Sequence, residues 1–114
     1  KLQPDLAKAW QWYQQGADAG EPHALARFAE RTEHDALAET DAARRNAQLL
    51  NAFSYYAAAA DRARMEDWPD DAWRLWRHRR ASLARFLASQ GLMQNVADAY
   101  GKILARDDAT GISP

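Results

Sequence analysis

Residues 68–104 read WPDDAWRLWRHRRASLARFLASQGLMQNVADAYGKIL, and this stretch decides the fold. Trp73, Trp76, Leu83 and Leu87 recur at spacings that place them on one helix face, with Leu75 and Phe86 flanking. The spacing predicts a helix from Pro69 to about Ser89. Asp70 and Asp71 fall in its first turn, where the helix dipole favours negative charge. Gln90-Gly91 reads as a tight turn, because glycine accepts the left-handed conformation past a helix end. A second helix is predicted over about Leu92 to Arg106, with Met93, Val96, Tyr100, Ile103 and Leu104 inward.

Outward from this hairpin the chain keeps a helical period. Leu49, Leu50, Phe53, Tyr56, Ala57 and Ala60 predict a long helix starting near Asp35 or Thr40 and ending at Glu66. Its alanine run, residues 57–60, lets a neighbouring helix come close. Further upstream, Glu21-Pro22 starts a helix carrying Leu25, Phe28 and Ala29 to about Arg31 or Glu33. The polar TEHD of residues 32–35 reads as a break or a solvated turn. The first helix carries Leu6, Ala9, Trp10, Tyr13 and Ala17 and stops at Gly20, after a loose lead-in over residues 1–4. The prediction is an all-α fold of about five helices in antiparallel hairpins, the outer two shorter than the middle ones. Residues 1–107 form one domain and residues 108–114 a flexible tail.

Composition narrows the classes. In 114 residues, 47% are apolar and 27% charged, as in an ordinary soluble globular domain. The net charge of −1 supplies no overall field to draw in nucleic acid or an anionic membrane. There is no cysteine, which excludes a disulfide scaffold, a thiolate metal site and a cysteine nucleophile. No apolar run approaches the roughly 18 residues a membrane span needs. The chain begins at Lys1 rather than Met, so it is expected to be a processed chain or part of a longer one. Its Ala/Arg/Asp-rich composition fits a high-GC bacterial genome.

The sequence also repeats itself. AWQWYQQGADAG (9–20), AFSYYAAAADRA (52–63) and VADAYGKILARD (96–107) align on Tyr13, Tyr56 and Tyr100, which are 43 and 44 residues apart. LARF occurs at Leu25–Phe28 and again at Leu83–Phe86. Tyrosine helices and LARF helices therefore alternate, and a period of this length in helix pairs indicates an α-solenoid. Leu83, Ala84, Leu87, Gly91, Val96, Tyr100 and Ile103 sit where tetratricopeptide (TPR) repeats place their signature residues. Ala9, Trp12, Tyr13, Gly16, Ala17, Gly20, Pro22 and Ala24, followed by Phe28-Ala29, resemble the Sel1-like variant of that repeat. Departures are visible. Val96 and Ile103 are bulkier than the usual alanines, Gly16 stands where alanine is usual, and no proline follows near Asp108. Phe28 to Tyr56 spans 28 residues against 14 from Phe86 to Tyr100, so the middle unit is stretched.

The resemblance implies a short TPR-like or Sel1-like solenoid that binds a protein or peptide partner in the groove lined by the first helix of each pair. Carried over by position, that groove holds His78, Ser82, Arg85 and Ser89, with Arg74 one turn earlier, and His23, Arg27, Glu30 and Arg31 from the preceding LARF helix. Arg77 and Arg79 also fall away from the Trp stripe. Arginine suits an acidic or carboxylate-bearing partner, since its planar fork can grip a carboxylate twice. The opposing reading is a solvated face neutralised by Glu66, Asp67, Asp70 and Asp71. The family's Lys/Asn clamp for C-terminal carboxylates has no match here. With so few repeats, an open end offers a route to homo-oligomers.

Other constellations are weaker. Arg80 falls on the Trp stripe and needs either a carboxylate, Asp61 or Asp98, or an apolar path for its stem to water. Trp10, Trp73 and Trp76 are expected in the core, and Trp12 and Trp68 on the surface. Glu30 and His34 share a helix face, but a zinc site takes three or four ligands, so no metal is expected. No P-loop, dinucleotide fingerprint or nucleophile elbow is present; no cofactor and no catalytic residue is expected. The alternative function, a nucleic-acid-binding domain using the Trp/Arg-rich helix 69–89, rests on basic residues beside aromatic ones.

Overall fold

The computed structural model describes residues 2–109, with side chains described from Lys8 to Ala105. The described residues form an all-α fold of five helices: α1 (Leu2–Asp18), α2 (Pro22–Ala38), α3 (Ala42–Met65), α4 (Asp70–Ser89) and α5 (Met93–Ala109). α1 and α5 are shorter than α3 and α4, but α2 matches them at 17 residues. The lead-in expected over residues 1–4 is already helical from Leu2. Of the expected tail, Asp108 and Ala109 belong to α5; residues 110–114 lie outside the described residues.

Local chemistry sets the boundaries. Glu21 caps α2 by accepting from the amides of His23 and Ala24, and Pro22 occupies the first turn, where its missing N–H costs little. TEHD is neither break nor turn: α2 runs through it to Ala38, because Ala36 on the same face is fully buried. The break comes at residues 39–41, where Asp41 caps α3 by accepting from the Arg44 amide at 2.9 Å. The stretched middle unit is thus an extended α2 and an extended α3 rather than an inserted element. α3 ends where Asp67 takes φ 58° and the Trp68 amide donates back to the Ala63 carbonyl at 2.9 Å. At the end of α4, Gly91 takes φ 79°, and the Leu92 amide donates to the Leu87 carbonyl at 2.9 Å, the Schellman arrangement.

α3 is the hub. It contacts α2, α4 and α5, whereas α1 leans on α2. Its alanines explain this: Ala52, Ala57, Ala59, Ala60 and Ala63 have no exposed surface, so two helix backbones can close on it from different sides. α2 answers with its own buried Ala24, Ala26, Ala29 and Ala36. Alanines bury little area each, so the apolar stabilisation falls on a few large groups. Phe53 and Tyr56 come from α3, and Trp73, Trp76, Leu83 and Leu87 from α4.

The core departs from expectation at its edges. Trp68 is not a surface residue. It is half-buried against Trp76 (ring centroids 6.0 Å apart) and His23 (5.0 Å), and its indole N–H donates to Glu66 at 3.2 Å. Met93 and Leu104, expected inward, are 61% and 42% exposed, because nothing among the described residues covers that side of α5. Trp12 is exposed as expected, and Trp10 is half-buried on Tyr13 and Phe28.

The α1–α2 contact is tight. A Cβ added at Gly16 would lie 2.8 Å from the Ala24 Cβ, so glycine stands there for space. Gly16→Ala should therefore destabilise the domain by about 1–3 kcal/mol, although alanine is the better helix former by roughly 1 kcal/mol. Equilibrium urea unfolding checks this. A rise in stability would mean that helix propensity outweighs the α1–α2 packing.

Candidate partner-binding face

α4 turns two different faces outward from its buried Trp/Leu stripe. Leu75, Arg79, Ser82 and Phe86 follow one another at four, three and four residues, so they lie in one line on the side facing α2 and the start of α3. Arg74, His78 and Arg85 form a second, exposed line beside it.

The first line is anchored by a network joining three helices. The Tyr56 hydroxyl of α3 donates to Glu33 Oε1 of α2 at 3.0 Å, and Arg79 of α4 donates to Glu33 Oε2 in a close ion pair. Burial, and then the negative charge of Glu33, push the Tyr56 hydroxyl pKa well above the ordinary tyrosine range. Burial is the largest single influence and opposes the charge on Arg79, but the Glu33 carboxylate and the Tyr56 oxygen together outweigh it and hold the guanidinium pKa above its usual value. Above this network lies a cleft of about 270 Å³, lined by Glu30, Glu33, Tyr56, Leu75 and Arg79. Leu75 is 60% exposed at its edge. At the other end of the line Phe86 is 38% exposed beneath Arg45, whose guanidinium carbon is 5.4 Å from the ring centroid.

The network gives a pH test. Because the Tyr56 pKa is raised on folding, its contribution is complete below the unfolded value, about pH 10. It declines as pH rises beyond that, since the unfolded chain releases the proton first. Above pH ~10 the stability of the native sequence should fall more steeply than that of Tyr56→Phe, which can be followed by denaturant midpoints. Parallel curves would contradict the assignment.

The residues expected from sequence are distributed over several places. Arg74, His78 and Arg85 are exposed on the outer line of α4; Arg74 pairs with Asp71 at 2.9 Å and Arg85 donates to Ser82 at 3.3 Å. Arg77 covers Trp73, 4.5 Å from the ring centroid, on the opposite flank. Arg27 pairs with Glu30 at 3.0 Å and so borders the α2/α4 cleft. Arg31 reaches Asp35 at 4.0 Å and covers Trp10 at 4.4 Å. It lines a separate, open cleft of about 570 Å³ between α1 and α2, along with Arg27, Glu30 and His34. His23 packs edge-on against Trp76 and tilts over Trp68. Among the described residues, His78, Arg85, Arg45 and Arg77 have no carboxylate in ion-pair range.

Arg80 does not reach Asp61, which is engaged by Arg64 at 3.0 Å. Its guanidinium lies over Tyr100, 5.7 Å from the ring centroid. Sequence reasoning did not single out Glu33, Arg45, Leu75 or Phe86 for this face. For Leu75 and Phe86 the signal was present: eleven residues bring a helix back to the same side.

Trp73 and Trp76 are buried, which removes them as stacking platforms for bases. No described group of three or more His, Cys, Asp or Glu is gathered for a metal. No helix among the described residues is long and apolar enough to cross a membrane. No protein-family model, curated protein or solved structure matches the chain.

Proposed function

We propose that the chain is a non-enzymatic protein-interaction module whose α2/α4 face takes an acidic, amphipathic segment of a partner. The observation that carries the reading is the pair Leu75 and Phe86, both exposed on one line of α4. Eleven residues at the helix rise separate them by about 16 Å. Two cations, Arg45 and Arg85, border this line near Phe86, and the His78 imidazole lies between the two anchors. Exposed large apolar groups rimmed by unpaired charge are the usual composition of a recognition surface. The Glu33–Arg79–Tyr56 network supplies a rigid floor, so little ordering accompanies binding. The alternation of tyrosine and LARF helices, together with the central position of α3, supports a TPR-like arrangement of hairpins, in which such a face lies along the groove.

Affinity capture followed by mass spectrometry tests this, comparing wild type with Phe86→Ser and with a His78→Glu/Arg85→Glu pair. Both variants should lose the same partner, and wild-type capture should weaken as salt is raised. Retention of every partner by both variants would show that the face is solvated surface only.

A further inference from the structure

We propose that the groove between α4 and α5 binds a medium-chain alkyl carboxylate, with its chain between the helices and its charge on Arg80. This site lies on the opposite flank of α4 from the α2/α4 face and does not depend on that reading. The groove encloses about 290 Å³. Phe53 and Val96, both buried, form its floor. Ala84 from α4 and Ala97 from α5 keep it open because their side chains are small. Met93 stands at the rim, 61% exposed, an unbranched side chain able to fold over an occupant.

Polar groups in the lining are confined to one place. Arg80 is half-buried, stacks on the Tyr100 ring, and has no carboxylate in ion-pair range among the described residues. An apolar cleft with a single placed charge is the pattern of a small-ligand site. The charge selects an anion, and the planar fork selects a carboxylate. The rest of the lining selects the body of the ligand. A peptide entering the groove would bring amides that find no partner on Phe53, Ala84, Val96 or Ala97 and would lose hydrogen bonds to water. An alkyl chain carries no such groups.

The test is calorimetric titration of the 114-residue chain with decanoate below its micellar concentration, with methyl NMR of Met93 as the local readout. Decanol, decyltrimethylammonium and a short peptide ending in Leu-Leu with a free carboxylate serve as comparisons. Decanoate should saturate one site and shift the Met93 methyl, and Arg80→Met should weaken it about tenfold or more. Ala97→Trp, at an exposed position that leaves the core intact, should abolish binding by filling the groove. The proposal is overturned if decanoate does not saturate, or if decanol or the ammonium compound binds as well. Undiminished binding by either variant, or binding of the peptide alone, would overturn it equally.

Discussion

Trp76→Ala should destabilise the domain by about 3–5 kcal/mol and lower its melting temperature by roughly 10 °C or more. Trp76 is 6% exposed and is the point where three segments meet. It extends from α4, takes the His23 ring of α2 edge-on at 5.6 Å, and packs against Trp68 of the α3–α4 connection at 6.0 Å. Removing it leaves a cavity between the His23 and Trp68 rings that can close only in part. Trp76→Phe should retain part of the stability. Calorimetric unfolding of both variants checks the size. A loss below ~0.5 kcal/mol, the range of ordinary surface changes, would mean that the cluster does not hold α2 against α4.

Leu87→Ala should cost about 2–5 kcal/mol, with a different signature. Leu87 has no exposed surface and sits in the last turn of α4. Its carbonyl accepts from the Leu92 amide in the turn that starts α5. Ala at this position keeps that carbonyl but removes the packing beneath the turn, so α5 should loosen first, seen as amide exchange in α5 accelerating more than in α2. Leu87→Met should cost less than ~1.5 kcal/mol. Trp76 and Leu87 are eleven residues apart on α4, about 16 Å, so their effects should add. Against a total stability of about 5–15 kcal/mol, the double variant should lose about 5–10 kcal/mol, most of the margin that keeps the domain folded. Exchange that rises uniformly in all helices would contradict a local role for Leu87.

These residues also show what the sequence made legible. The buried stripe Trp73, Trp76, Leu83, Leu87 was readable because its period is strong and its side chains are large. The alanine run of α3 was readable as a close-approach surface. TEHD misled because a polar run can sit inside a helix: Glu33 turns inward to Tyr56 and Arg79, and the buried Ala29 and Ala36 supply the reason to continue. Trp68 misled because it packs on Trp76 across a helix boundary and on His23, more than forty residues away, and no local period records either contact. The same holds for the Glu33–Arg79 pair, 46 residues apart. Met93 and Leu104 carried a correct helical period, but periodicity gives a face and not whether anything packs on it. The arginines were visible as a group. Which of them are neutralised, as Arg74 is by Asp71 and Arg27 by Glu30, depends on rotamers the sequence does not encode.

The proposed docking of a partner on the Leu75–Phe86 line of α4 can be tested by photo-crosslinking in the native cell. A photoreactive residue is placed at Ser82, between the two anchors, and separately at Asn51 on the exposed side of α3. A discrete protein adduct is expected from position 82 that disappears when Phe86→Ser is added, and none from position 51. Adducts of equal yield from both positions, or an adduct at 82 that survives Phe86→Ser, would contradict the proposed docking.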